Sequence, residues 1–309
     1  LAISHASIVV PFVMGAALAL WLYPLLAPSG ISFTAFSLFL AISMSITAFP
    51  VLARILTDRG MHKTSLGSIA LACAATDDVT AWCLLALVVG VVQSNVEQAM
   101  FVTAATVAYI GIMMLVARPL LKRALASYRV QGLSRLAFGL VLAGMLLSAL
   151  ATEAIGIHAI FGAFLFGACL PREQAIVAQL VERIEGLVST LLLPAFFAFV
   201  GMRTQIGLLD QWSHWAICLV IIAVATAGKF GGTLVAARLG GLSWRPAASL
   251  GILMNTRGLM ELIVLGIGLD LGVISPELFA MMVIMAVVTT LATAPILSAL
   301  SAQQAAAAA

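Results

Sequence analysis

The chain has 309 residues, 63% of them hydrophobic and only 9% charged, with a formal net charge of +3. Soluble domains average about 45–50% apolar and about 25% charged residues, so this composition is that of an integral membrane protein with no room for a sizeable soluble domain. The net charge is too small to imply a nucleic acid partner, and Cys73, Cys83, Cys169 and Cys218 sit singly in apolar runs, without the CxxC spacing of redox or metal sites.

The sequence opens at Leu1 without methionine and already inside an apolar run, so segments upstream of it are expected. Apolar stretches bounded by charged or Gly/Pro-rich turns predict ten membrane helices, near residues 3–27, 32–56, 65–94, 98–118, 133–151, 155–170, 187–203, 212–238, 246–270 and 277–299. Between them, 119–131 and 172–186 are amphipathic and charged, and predict surface helices. Residues 301–309 form a low-complexity tail.

Basic residues give an orientation. Arg54, Arg59, Lys63, Arg118, Lys122, Arg123, Arg129, Arg135, Arg172, Arg183, Arg238 and Arg245 fall on one side of this layout, and the opposite loops carry only Arg203. By the positive-inside rule the larger set marks the cytoplasm, where both ends of the sequence then fall.

Five ionisable residues lie inside predicted spans: Asp77, Asp78, Lys229, Arg257 and Glu261. An ionised group at bilayer depth costs about 2.5–3.5 kcal/mol even on the mildest insertion scale, so each calls for a partner or a function. Two spans are also interrupted. In ISFTAFSLFLAISMSITAFPVLARIL, Pro50 removes a backbone donor and is expected to displace the carbonyl of Ile46. In AASLGILMNTRGLMELIVL the polar stretch Asn255, Thr256, Arg257, Gly258 breaks the helix, and non-helical backbone at that depth must be buried in protein or face water.

Pro50, Asp77, Lys229 and Asn255 each lie roughly 14–18 Å from the cytoplasmic flank at 1.5 Å per residue, near the midplane. The first three and the last three spans are triplets with a broken middle helix that enter from opposite sides, the inverted repeat of a secondary transporter. The expected organisation is therefore a first core triplet over 1–97, linking and scaffold helices over 98–211, a second core triplet over 212–300, and the tail. Successive helical residues point about 100° apart, so Asp77 and Asp78 cannot face one partner equally. One can pair with Lys229 while the other faces the ion path, where it holds a proton or a cation but not both. Two acids against one lysine leave a negative charge that a purely structural network would not need. Arg257 and Glu261, four residues apart, read as a supporting ion pair. Glu153 reads as a solvated loop residue and His158 as a structural histidine. Gly228, Gly231 and Gly232, with Ala225, form a small-residue stripe for close helix approach.

The segments SITAFPVLARIL, ATDDVTAW, GIHAIFGAFLFG, LPAFFAFVGMRT, the Gly-Lys at 228–229 and LMNTRGLMELIVL resemble, in order, the monovalent cation:proton antiporter family of bacterial sodium/proton and potassium/proton exchangers and plant cation/proton exchangers. The resemblance implies an all-α fold with two crossed discontinuous helices, a core domain moving against a dimerisation domain in an elevator-like cycle, and about three family helices missing ahead of Leu1. It implies that Asp78 binds ion and proton, that Asp77 is its neighbour paired with Lys229, and that Thr47 and Pro50 mark the first break and Asn255 and Thr256 the second. An Asp-Asp pair with the core lysine is associated in that family with electrogenic exchange. The expected protein is thus a Na⁺ (or K⁺)/H⁺ antiporter of a prokaryotic-type plasma membrane. It would use no cofactor and form a homodimer at full length, with its partners being the cation, the proton and the bilayer. Alternatives are a potassium-selective antiporter or a sodium-coupled organic acid symporter of related fold. An enzyme is not expected: the acids of an intramembrane aspartyl protease flank one scissile bond, whereas Asp77 and Asp78 diverge along one helix.

Overall fold

A computed structural model of the chain describes residues 2–93, 96–126, 134–157, 159–171 and 174–308. Arg129, His158 and Arg172, singled out above, lie outside the described residues. Every regular element among the described residues is helical. Among the described residues eight helical stretches are long and apolar enough to cross a bilayer, and the bent pair Trp244–Met254 and Leu259–Asp270 makes a ninth. The remaining predicted span corresponds to the 11-residue helix Ala159–Cys169. At 1.5 Å per residue that is about 16 Å, short of a core about 30 Å thick.

The chain forms two compact units, Leu1–Leu85 with Met202–Ala309, and Ala86–Gly201. The first begins with α1 (Ala2–Leu26), followed by α2 (Phe33–Ser45), α3 (Phe49–Asp58) and α4 (Ser65–Gln93), the last of which runs on into the second unit. Ser32 caps α2 by accepting from the Ala35 N–H, and Thr64 accepts from the Gly67 N–H at the start of α4. Later elements of this unit are a helix Trp212–Thr226 continuing through a π turn at Ala227–Gly231 into Gly232–Leu239, the bent pair, and a long last helix from Pro276. Its buried core joins Leu52 and Leu56 of α3, Ala70 and Ala74 of α4, Ala237, Leu250, Leu253, Met254 and Leu297. Both broken helices are thus wrapped in apolar side chains, as polar backbone at membrane depth requires.

Pro50 does not kink a continuous helix. It occupies the second position of α3, where the N–H groups have no intrahelical acceptor, and the break consists of residues 46–48, with Ile46 and Ala48 extended. The carbonyl of Ile46 is therefore at a helix end rather than displaced within one.

In the second unit, Val96–Ile112 passes through a π turn at Met113–Ala117 into Arg118–Ala126. Likewise Gln174–Leu187 passes through a π turn at Val188–Leu192 into Leu193–Arg203, at the boundary with the first unit. The surface helices expected at 119–131 and 172–186 are therefore, where described, extensions of their neighbouring spans. A π turn takes up the change from apolar to amphipathic register, so no loop is needed. Arg135–Ile155 packs against Ala159–Cys169 so closely that a Cβ on Gly162 would lie 2.1 Å from the Ser148 carbonyl oxygen. Glu153 caps the shorter helix, its Oε2 accepting from the Ala159 N–H at 2.9 Å.

Candidate functional site

The site lies entirely within the first unit. Asp77, in the middle of α4, is 1% exposed, and Lys229, in the π turn after Trp212–Thr226, is fully buried. A π turn widens the helix by one residue and is a frequent mark of functional positions. Lys229 Nζ lies 3.2 Å from Asp77 Oδ2 and 2.6 Å from Thr47 Oγ1. The lysine donates to both, so the Thr47 hydroxyl is left to donate either to Asp77 Oδ2 at 2.9 Å or to the Met254 carbonyl at 3.0 Å.

Asp77 has two further neighbours that sequence reading missed. Ser4 Oγ donates to Oδ1 at 3.1 Å, and Ser7 Oγ lies 3.2 Å from Oδ1 and 3.0 Å from Oδ2. Both serines are on α1 and buried. The helices reach each other because a Cβ on Gly228 or Gly232 would come within 2.9 Å of Pro11 or 2.8 Å of Val10, so only glycine admits α1 at that distance. Gly231, read as part of the same stripe, has nothing within 4 Å of a would-be Cβ.

Asp78 has a different environment. It is partly buried, its Oδ1 is shielded from solvent and without a hydrogen-bond partner, and the backbone N–H of Phe49 is directed to its carboxyl group. Phe49 is the first residue of α3, so this acid faces the positive end of a half-helix. Asp77 is saturated with donors, whereas Asp78 keeps one oxygen open.

The two helix breaks meet beside these acids. The Ala48 N–H donates to the Thr256 carbonyl at 3.0 Å, joining one break to the other. A Cβ on Gly258 would lie 2.7 Å from Val51 Cγ2 and 3.3 Å from Ala48 Cβ, which explains a glycine there. Thr256 Oγ1 donates to the Leu253 carbonyl, and Asn255 Oδ1 is buried without a partner.

Arg257 and Glu261 form an ion pair at 3.2 Å with both side chains fully buried. The guanidinium does more than pair: Nη1 donates to the Ser43 carbonyl at 3.1 Å and Nη2 to the Met44 carbonyl at 2.9 Å. Those carbonyls are among the last four of α2 and have no intrahelical donor, so Arg257 caps the negative end of the opposite half-helix. Thr290 of the last helix holds the Arg257 backbone on both sides, accepting from its N–H and donating to its carbonyl, each at 2.8 Å. Glu261 sits in the first turn of the helix after the break, the favourable end for an acid, and its Oε1 has no partner.

Apolar helices of bilayer length and a buried, ion-paired centre describe a multi-pass membrane protein. Residues 1–300 match the transmembrane family of sodium/hydrogen exchangers, and the chain belongs to that family. It is 45% identical over 296 residues to the Na(+)/H(+) antiporter NhaS4 of Synechocystis, covering 95% of this chain and 72% of that protein. It is 38% identical over 313 residues to cation/H(+) antiporter 20 of Arabidopsis thaliana, and 35% identical over 310 residues to K(+)/H(+) antiporter 1 of Saccharomyces cerevisiae. Each of those two matches takes in 96% of this chain, but it spans only 37% and 35% of the respective relatives.

Proposed function

We propose that the protein exchanges Na⁺ or K⁺ for H⁺, with cation and proton competing for Asp78. The observation that carries this reading is the buried, partnerless Oδ1 of Asp78 next to an acid whose oxygens are already engaged by Lys229, Thr47 and two serines. A hard monovalent ion takes oxygen ligands, and the crossing offers a carboxylate with nearby Asn255 and helix-end carbonyls as candidates for its shell. The Asp77 and Lys229 charges offset each other while the lysine is protonated, so a proton at Asp78 leaves the centre neutral, and exchange carries net charge because the Asp77–Lys229 pair gives up a second proton when the cation binds. The names of the relatives, Na⁺/H⁺, K⁺/H⁺ and cation/H⁺ antiporters, agree with this reading.

In the same reading the two broken helices are the crossed centre of an inverted repeat, with core triplets over 1–97 and 212–300 that move by alternating access against a scaffold over 98–211. Exchange is electrogenic, the full-length protein is a homodimer in a prokaryotic-type plasma membrane, and the last helix ends on the cytoplasmic side. No resident cofactor takes part. The test is the full-length protein in proteoliposomes with an inside-acid pH gradient, whose collapse is followed on adding Na⁺, K⁺ or choline. Collapse with Na⁺ or K⁺, absent with choline and absent in Asp78→Asn, supports exchange at Asp78. A folded, correctly oriented protein that moves protons with neither cation refutes it.

A further inference from the structure

Asp77 and Asp78 are adjacent on one helix and equally able, as free carboxylates, to attract a cation or Lys229. What distinguishes them is the set of donors around each. Asp77 has Lys229 and Thr47 on Oδ2, Ser4 on Oδ1, and Ser7 within reach of both oxygens. The Ser7 proton is contested by the Ser4 carbonyl at 2.8 Å, and the Thr47 proton by the Met254 carbonyl, so Ser4 and Lys229 are the steadier donors. Both serines come from α1, an element outside the broken helices and outside α4.

We infer that Ser4 and Ser7 are positioning residues of the exchange site: they hold the Asp77 carboxylate against Lys229 and Thr47, and so keep the lysine off Asp78. The inference rests on the exchange reading and deepens it. A carboxylate is free to turn about its last torsion unless hydrogen bonds fix it. Bonds on Oδ1 stop that turn, because Oδ1 and Oδ2 cannot exchange places without breaking them. With the serine hydroxyls gone, Asp77 turns away, and the ammonium group, which has three donors, becomes a competitor for Asp78. A cation must then displace the lysine as well as the proton. Saturating cation still wins, so the cost falls on apparent affinity rather than on turnover.

The experiment compares Ser4→Ala/Ser7→Ala, Ser4→Thr/Ser7→Thr and Asp78→Asn with the wild-type full-length protein in proteoliposomes, titrating Na⁺ and K⁺ at fixed pH. A hydrogen bond to a charged group is strong enough that its loss shifts a competitive equilibrium by about tenfold. The double alanine variant is expected to raise the apparent KM for the transported cation by about that factor, with maximal rate within about twofold of wild type. The double threonine variant, which keeps both hydroxyls, is expected to restore KM. An alanine variant with wild-type KM overturns the inference, and so does a threonine variant as impaired as alanine, because packing would then account for the effect. Normal exchange by Asp78→Asn would instead overturn the underlying exchange reading, whatever the serines do.

Discussion

Replacing Arg257 by methionine keeps the aliphatic stem and removes the guanidinium, and its cost separates two roles of the residue. Breaking a buried ion pair by deleting one partner costs about 3–5 kcal/mol. Arg257→Met also strands the carbonyls of Ser43 and Met44, each a buried acceptor whose lost donor costs about 1–3 kcal/mol. Glu261→Gln leaves the guanidinium without its counter-charge but still on its two carbonyl acceptors, so a smaller loss, at the low end of the ion-pair range and about 3 kcal/mol, is expected. The decisive variant is the double, Arg257→Met/Glu261→Gln. Were the residues only an ion pair, removing both charges would return stability to near wild type. Because the carbonyls stay stranded, the double variant is expected to remain about 2–6 kcal/mol less stable. Apparent melting temperatures of the detergent-solubilised full-length proteins report this, at roughly 2–4 °C per kcal/mol. A double variant that melts with the wild type would refute the capping role.

Thr290→Val keeps the shape of the side chain but removes the group that both donates to and accepts from the Arg257 backbone, so it is expected to lower stability by about 2–4 kcal/mol in the same melts, with Thr290→Ser near wild type. Gly232→Ala and Gly231→Ala test the approach of α1: the first meets Val10 at 2.8 Å and the Ala6 carbonyl at 3.0 Å and is expected to lose about 1–3 kcal/mol and raise the cation KM, while the second is expected to be silent. Lys229→Met leaves Asp77 without its counter-charge and is expected to destabilise by about 3–5 kcal/mol, whereas Lys229→Met/Asp77→Asn recovers most of that loss in the melting temperature while exchange is measured separately.

Charges inside apolar runs are conspicuous in a sequence because the bilayer penalises them, and that is why Asp77, Asp78, Lys229, Arg257 and Glu261 could be singled out without coordinates. The two breaks stood out for a similar reason, since proline and a polar, glycine-containing stretch interrupt an otherwise uniform apolar pattern. Ser4, Ser7 and Thr290 carried no such signal. Serine and threonine are neutral, common in membrane helices and able to bond their own backbone, so their pairing with Asp77 and Arg257 exists only once distant helices are brought together. The capping of α2 by Arg257 was hidden in the same way, because an i,i+4 pairing with Glu261 already accounts for the residue locally. The π turns at 113–117, 188–192 and 227–231 were invisible because hydropathy does not report a one-residue change of helical register.

Competition at Asp78 is tested most directly by measuring the apparent KM for the transported cation at a series of pH values in proteoliposomes of the full-length protein. Where the proton outcompetes the cation, the competent fraction of sites falls tenfold per pH unit, so KM should rise by about tenfold for each unit of acidification with the maximal rate unchanged. A KM that stays constant while the maximal rate falls with acidification would place the proton and the cation at separate sites and contradict exchange by competition at this carboxylate.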